Sequence, residues 1–109
     1  MPNNLSPVII KTFEELDKQE LYKFIQLRVA VFIVEQDCPY PDLDDLDLES
    51  RHLWIEEEGE VLTYLRLTPP GTRFKEPSLG RIVTKETARK RGLAEVIIDK
   101  ALDIIDTEY

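Results

Sequence analysis

A short basic segment ahead of the last helical pattern holds the residues best suited to chemistry. It reads Arg89-Lys90-Arg91-Gly92-Leu93-Ala94 and follows a β-like run. The first backbone N–H groups of a helix lack intrahelical partners and lie at the positive end of the helix dipole, which favours a phosphate group. Gly92 lets the backbone approach such a group without a side-chain clash. The segment predicts a phosphate site; the alternative is a basic surface loop without a ligand, because short glycine motifs often occur by chance.

An acidic segment is the second candidate, in this case for a metal ion. Its carboxylates belong to Asp42, Asp44, Asp45, Asp47 and Glu49. Hard cations favour such oxygens, but an EF-hand loop needs a central glycine and a glutamate at its twelfth position. This segment has Leu46 at a ligand position and no glycine. We therefore expect an exposed, solvated acidic loop and no metal site.

The sequence patterns predict the helices and strands that position these two segments. Asp17 and Glu20 have the spacing of a capping box, and apolar residues then recur at steps of three and four, which predicts a helix from Lys18 to about Glu35. Strands are expected at Pro7–Lys11, at His52–Glu56 and Val61–Thr68 around a glycine-containing turn, and at Leu79–Thr84. A last amphipathic helix is predicted over Gly92–Asp106. The order is strand, helix, hairpin, strand, helix, within one domain over residues 1–109.

The amino-acid composition limits the classes of molecule that we expect this protein to bind. Fourteen basic and 22 acidic residues give a net charge of −8, which repels a nucleic-acid backbone on average. The single cysteine cannot form an internal disulfide, and no apolar run approaches the ~18–20 residues that cross a bilayer. The N-terminal residues also lack the pattern of a signal peptide. We expect a soluble, cytoplasmic protein with neither a nucleic-acid nor a membrane partner.

Two separated stretches resemble the GCN5-related N-acetyltransferases (GNAT), and their ElaA-like members in particular. Arg89-x-x-Gly92-x-Ala94 matches the family's Q/R-x-x-G-x-G/A pyrophosphate loop, with a strand before it and a helix after it. Residues 27–40, LRVAVFIVEQDCPY, resemble the family's LRxxVFxVEQxCPY segment. Asp45-x-Asp47 and His52-Leu53 resemble the acidic loop and the His-Leu pair that follow it in the family. The stretches occur in the family's order.

The resemblance implies an α/β (α+β) fold with a mixed, mainly antiparallel sheet and flanking helices. It also implies acetyl-CoA as cosubstrate and no metal. The diphosphate would lie on the Arg89–Ala94 loop, and the pantetheine arm would pair with backbone groups around Ile82, Val83 and Thr84. A primary amine, on a small molecule or a peptide, would attack the thioester directly while an amide near Val83 stabilises the oxyanion.

The resemblance also calls for a general base, because a lysine-like amine of pKa ~10.4 is only about one part in a few thousand neutral at pH 7. Glu35, at the end of the long helix, and His52, at the start of the hairpin, are the two candidates. The alternatives are that Glu35 forms a structural ion pair or cap, that His52 is a hydrogen-bonded packing residue, and that ordered water replaces a direct base.

The family fold continues beyond the signature helix with a strand, a helix and a last strand, and we expect this part to be missing here. The Leu79–Thr84 strand would then be an open sheet edge. A second copy of the chain or a complementing chain is a possible partner for that edge. The competing function is a non-catalytic acyl-CoA-binding or interaction module that keeps the pyrophosphate loop without turnover.

Overall fold

The computed structural model describes residues 7–109. Residues 1–6, which make up most of the N-terminal stretch in which no signal peptide is predicted, lie outside this range. Within the described range, no helix is both long and apolar enough to cross a membrane.

One antiparallel sheet organises the chain. Its strands are β1 (Ile9–Thr12), β2 (Arg51–Glu57), β3 (Glu60–Thr68) and β4 (Ser78–Thr84), in the order β1-β2-β3-β4. β2 and β3 form the predicted hairpin, because Glu58 and Gly59 both have positive φ and close a two-residue turn. All neighbouring strands are antiparallel, which confirms the predicted α+β class. The outer edge of β4 has no strand partner among residues 7–109, and its pairing with a second chain stays a prediction.

The first long helix begins where the sequence predicts and changes its winding midway. In the capping box, the Glu20 N–H donates to Asp17 (2.8 Å) and the Asp17 N–H donates to Glu20 (2.9 Å). Helix α1 (Lys18–Arg28) is α-helical, whereas the following π segment (Val29–Glu35) has π-helical winding. The predicted end at about Glu35 is confirmed, but the wider turns were not predicted.

Two apolar layers enclose the sheet. Helix α3 (Leu93–Glu108) covers one face and buries Ile97 and Ala101 against side chains of β2 and β3. Helix α1 covers the opposite face, where Phe24 packs beside Trp54 and Tyr64. Helices α1 and α3 therefore pack on opposite faces of the same sheet.

The predicted solvated acidic loop is wrong. Residues 46–49 form a short helix, α2 (Leu46–Glu49), and both Asp42 and Asp47 are only 4% exposed. The physical reason is charge pairing: their carboxylates meet arginines from three other elements, described below. Asp45 and Glu49 remain exposed, as expected for the whole segment.

Candidate functional site

The basic segment lies in the loop between β4 and α3. Lys90 and Gly92 have φ of 71° and 75°, in the left-handed region where glycine is favoured. The first hydrogen bond within α3 runs from the Val96 N–H to the Gly92 carbonyl (3.3 Å). The N–H groups of Leu93, Ala94 and Glu95 therefore precede that bond and lie at the positive end of a 16-residue helix.

An open cavity of about 220 Å³ lies against this loop. Its lining combines the end of β4 with the first turn of α3, namely Thr84, Ala88, Arg89, Lys90, Gly92, Leu93, Ala94 and Glu95. Arg91, although part of the basic segment, pairs with Glu57 of the hairpin at 2.9 Å. Lys90 has no ion-pair partner among residues 7–109, so its ammonium is available to an anion.

Strand β4 carries a bulge just ahead of the loop. Tyr64 of β3 faces Val83, whereas Arg66, two residues further along β3, faces Gly80, three residues back along β4. Strand β4 thus holds one extra residue, and Arg81 there has φ of 51°. A bulge leaves a residue unpaired and re-aims the local backbone. Of the predicted pantetheine-contacting residues, Ile82 lies in this bulge with its side chain exposed, and buried Val83 follows it.

A closed ring of ion pairs lies beside the bulge. Each of its three arginines contacts two aspartates, and each aspartate contacts two arginines, at 2.7–3.5 Å. In order around this Arg–Asp ring the members are Arg28, Asp42, Arg81, Asp44, Arg66 and Asp47. The charges cancel, which is why the acidic segment can pack against the sheet. Within the described part of the chain, no three His, Cys, Asp or Glu side chains are arranged to hold a metal ion.

The Arg–Asp ring ties the bulge to the first helix. Arg28 of α1 is fully buried and donates to the Asp42 carboxylate (2.9 Å) and to its backbone carbonyl (2.7 Å). Arg81, in the bulge, donates to the same carboxylate (3.0 Å), and its guanidinium lies 5.5 Å from the centre of the Tyr40 ring. Sequence reasoning missed all the arginines of this ring, because nothing in the local spacing connects them to the acidic segment.

His52 is placed as a packing residue. Its side chain is fully buried and stacks on Phe24 at 5.0 Å. The Asp47 carbonyl, 2.9 Å from Nε2, can only accept, so Nε2 carries the proton, and the Tyr64 hydroxyl donates to Nδ1 over 2.7 Å. Burial lowers the pKa of His52, which keeps the ring neutral. With both nitrogens engaged and no exposed surface, the geometry favours the packing alternative over the general base.

Glu35 is placed at the candidate site but as one half of an ion pair. Its carboxylate accepts from both terminal nitrogens of Arg89, at 2.7 and 2.9 Å. The hydrogen bonds from Arg89 lower the pKa of this carboxyl, which makes it a weaker proton acceptor. Thus the two motifs that suggested the family, 54 residues apart in sequence, touch in space. The structural ion pair, rather than the general base, is the arrangement that the geometry shows.

Comparison with known proteins agrees with this fold and motif arrangement. Residues 13–108 match the model of the Acetyltransferase (GNAT) family. A UPF0039 protein of Mycobacterium tuberculosis is 43% identical over 93 residues, which cover 82% of this chain and 60% of that protein. The chain thus spans about three fifths of that relative's length.

Two solved structures have the same fold. The crystal structure of an acyl-CoA N-acyltransferase from Pseudomonas aeruginosa superposes with a TM-score of 0.86 at 37% identity, over 92% of this chain and 70% of that one. The crystal structure of Escherichia coli ElaA gives 0.87 at 30% identity, over 94% of this chain and 71% of that one. Since the family match takes in nearly the whole described chain, this protein is a member of the GNAT acetyltransferase family, of the ElaA-like kind.

Proposed function

We propose that this chain binds acetyl-CoA on the Arg89–Ala94 loop and transfers the acetyl group to a primary amine. The observation that carries the proposal is the pair of left-handed residues, Lys90 and Gly92, that precedes α3 in the loop after the bulged strand β4. The membership of the GNAT family supports an acyl-CoA as the donor.

The loop fits a diphosphate by its chemistry and by its free space. A Cβ placed on Gly92 would meet no heavy atom within 4 Å, so the space in front of this backbone is open to a ligand. Three unpaired N–H groups at the start of α3 and the Lys90 ammonium supply donors of the type that binds phosphate oxygens. These residues would hold the coenzyme, which supplies an activated thioester.

The bulge in β4 supports placing the thioester carbonyl near Arg81 and Ile82. A backbone N–H that a bulge releases from its ladder is a fixed donor, and such a donor stabilises negative charge on a developing oxyanion. Removing one oxyanion donor in other enzymes costs about 10²–10³ in kcat.

The proposed acetyl transfer requires no oxidant, reductant or metal ion. The amine nitrogen forms a bond to the thioester carbonyl carbon, and the carbon–sulfur bond then breaks. The electron pair leaves on sulfur as a thiolate, which takes up one proton, while the amine nitrogen loses one. We propose that water receives the amine proton, because Glu35 is paired with Arg89 and His52 is buried.

The test is calorimetric titration of the 109-residue chain with acetyl-CoA. Gly92→Glu places a carboxylate in the proposed diphosphate position and should abolish binding. Gly71→Glu is the matched control, because Gly71 also has positive φ (82°) and open space around its Cβ but lies in the β3–β4 loop, at the other end of β4. Equal loss in both variants, or no binding by the folded wild type, would contradict the proposal.

A non-catalytic acyl-CoA-binding module is the second candidate function. The observation in its favour is that Glu35 is paired with Arg89 and that both ring nitrogens of His52 are hydrogen-bonded. An amine panel with acetyl-CoA separates the two functions: acetylated product detected by mass spectrometry supports the enzyme, whereas coenzyme binding without product from any amine supports the module.

A further inference from the structure

Each of the three guanidinium nitrogens of Arg89 donates to a protein oxygen, although the side chain stays partly exposed. Its Nη1 and Nη2 donate to the two oxygens of Glu35 at 2.7 and 2.9 Å, and its Nε donates to the Thr84 carbonyl at 3.0 Å. All three nitrogens of the guanidinium therefore face the end of the π segment and the end of β4. A planar guanidinium held by a bidentate carboxylate has a fixed orientation.

The local surroundings of Glu35 do not stabilise its negative charge. It is the last residue of the π segment, and a carboxylate at the C-terminal end of a helix lies beside the negative end of the dipole. That placement is locally unfavourable, and the Arg89 guanidinium compensates for it from 54 residues away. The negative charge of Glu35 is thus stabilised by its tertiary contact with Arg89.

The contact fixes the first residue of the loop that carries the proposed coenzyme site. Arg89 is joined through its side chain to the end of β4 on one side and to the π segment on the other. The next residue, Lys90, already has a left-handed φ, and Gly92 follows with another. A loop with two such residues has several accessible conformations, so a tether at its first residue restricts the directions in which the later N–H groups point.

We propose that Glu35 is a positioning residue for the acyl-CoA loop, acting through Arg89, and that the Arg89 guanidinium supports the loop rather than contacting the diphosphate. The phosphate donors are then the backbone N–H groups at the start of α3 and the Lys90 ammonium. This inference rests on the proposed function, since it assigns the roles of residues around the proposed coenzyme site. It also explains why a titratable residue of the first motif lies at the site without being a free base.

Acetyl-CoA titration of four variants tests the proposal, with thermal unfolding measured on each. Glu35→Gln should weaken binding about three- to tenfold with little change in Tm, since exposed ion pairs contribute little to stability and coupling through a positioning contact is modest. Arg89→Glu alone should weaken binding at least as much. The exchanged pair Glu35→Arg/Arg89→Glu should restore binding to within about threefold of the wild type, because it rebuilds the tether with the charges reversed.

The fourth variant is the control. Glu57→Gln removes an exposed ion pair of the same kind from Arg91, in the same loop, and should not weaken binding. The proposal is overturned if Glu35→Gln binds like the wild type, or if it weakens binding no more than Glu57→Gln does. It is also overturned if the exchanged pair binds as poorly as Arg89→Glu alone, since the guanidinium would then be a phosphate ligand. Failure of the folded wild type to bind would overturn the proposed function together with this extension, whereas wild-type binding with any of the other results overturns the extension alone.

Discussion

Replacing Asp47 by asparagine tests whether the Arg–Asp ring holds the acidic segment on the sheet. The Asp47 carboxylate accepts from Arg28 at 2.9 and 3.3 Å and from Arg66 at 3.0 Å, with its side chain only 6% exposed. The asparagine has nearly the same shape but no charge, and its NH₂ group faces a guanidinium donor. The substitution therefore removes electrostatic pairing without opening a cavity.

The expected loss in the free energy of unfolding depends on which ion pairs remain in the Arg–Asp ring. Breaking a buried ion pair by removing one partner costs about 3–5 kcal/mol when the other charge is left alone. Here Arg28 keeps Asp42 and Arg66 keeps Asp44, so neither arginine is orphaned. We expect a loss of about 2–4 kcal/mol in the free energy of unfolding, against a total of ~5–15 kcal/mol for an ordinary domain.

Urea unfolding followed by fluorescence measures this loss. Trp54 is the single tryptophan and is fully buried, so its emission reports the global transition. With an m-value of about 1.5 kcal/mol per molar urea, the midpoint should fall by roughly 1–3 M. Asp45→Asn is the matched control, because Asp45 is exposed in the same segment, and it should change stability by less than about 0.5 kcal/mol. If both variants unfold at the wild-type midpoint, the segment is solvated in solution and the reasoning about the ring is refuted.

Three further predictions concern single residues. His52 is the only histidine, and burial lowers its pKa below the ordinary 6.5, so the unfolded chain binds a proton that the folded chain does not. Stability should therefore be full above pH 6.5 and fall by up to about 1 kcal/mol by pH 5.5, and urea unfolding of His52→Gln should lack this slope. Gly92→Ala and Gly71→Ala should each cost about 1 kcal/mol in stability from positive φ, but only Gly92→Ala should also weaken acetyl-CoA binding; equal affinities would contradict the site. Cys38 is an exposed free thiol, so it should react with DTNB without denaturant at one thiol per chain, and Cys38→Ser should leave acetyl-CoA affinity unchanged.

The sequence was informative wherever a signal acts between near neighbours. The Asp17–Glu20 capping box, the glycine turn of the hairpin and the helical periodicity after Gly92 each involve residues within a few positions of one another. Such contacts form in the same way in almost any surrounding structure, so the order and the approximate bounds of the elements could be predicted. The left-handed backbone at Gly92, in the loop proposed to bind the coenzyme, has the same local origin.

Only the tertiary structure decided the electrostatic partners and the roles they imply. Asp47 meets Arg28 and Arg66 across 19 residues of sequence in each direction, and Glu35 meets Arg89 across 54. A charge interacts with whatever the fold brings within a few ångströms, and spacing along the chain does not encode that distance. For this reason the sequence predicted a solvated acidic loop and left the environments of Glu35 and His52 open. The fold places the acidic segment in a neutral ring, His52 in the core and Glu35 in an ion pair with Arg89.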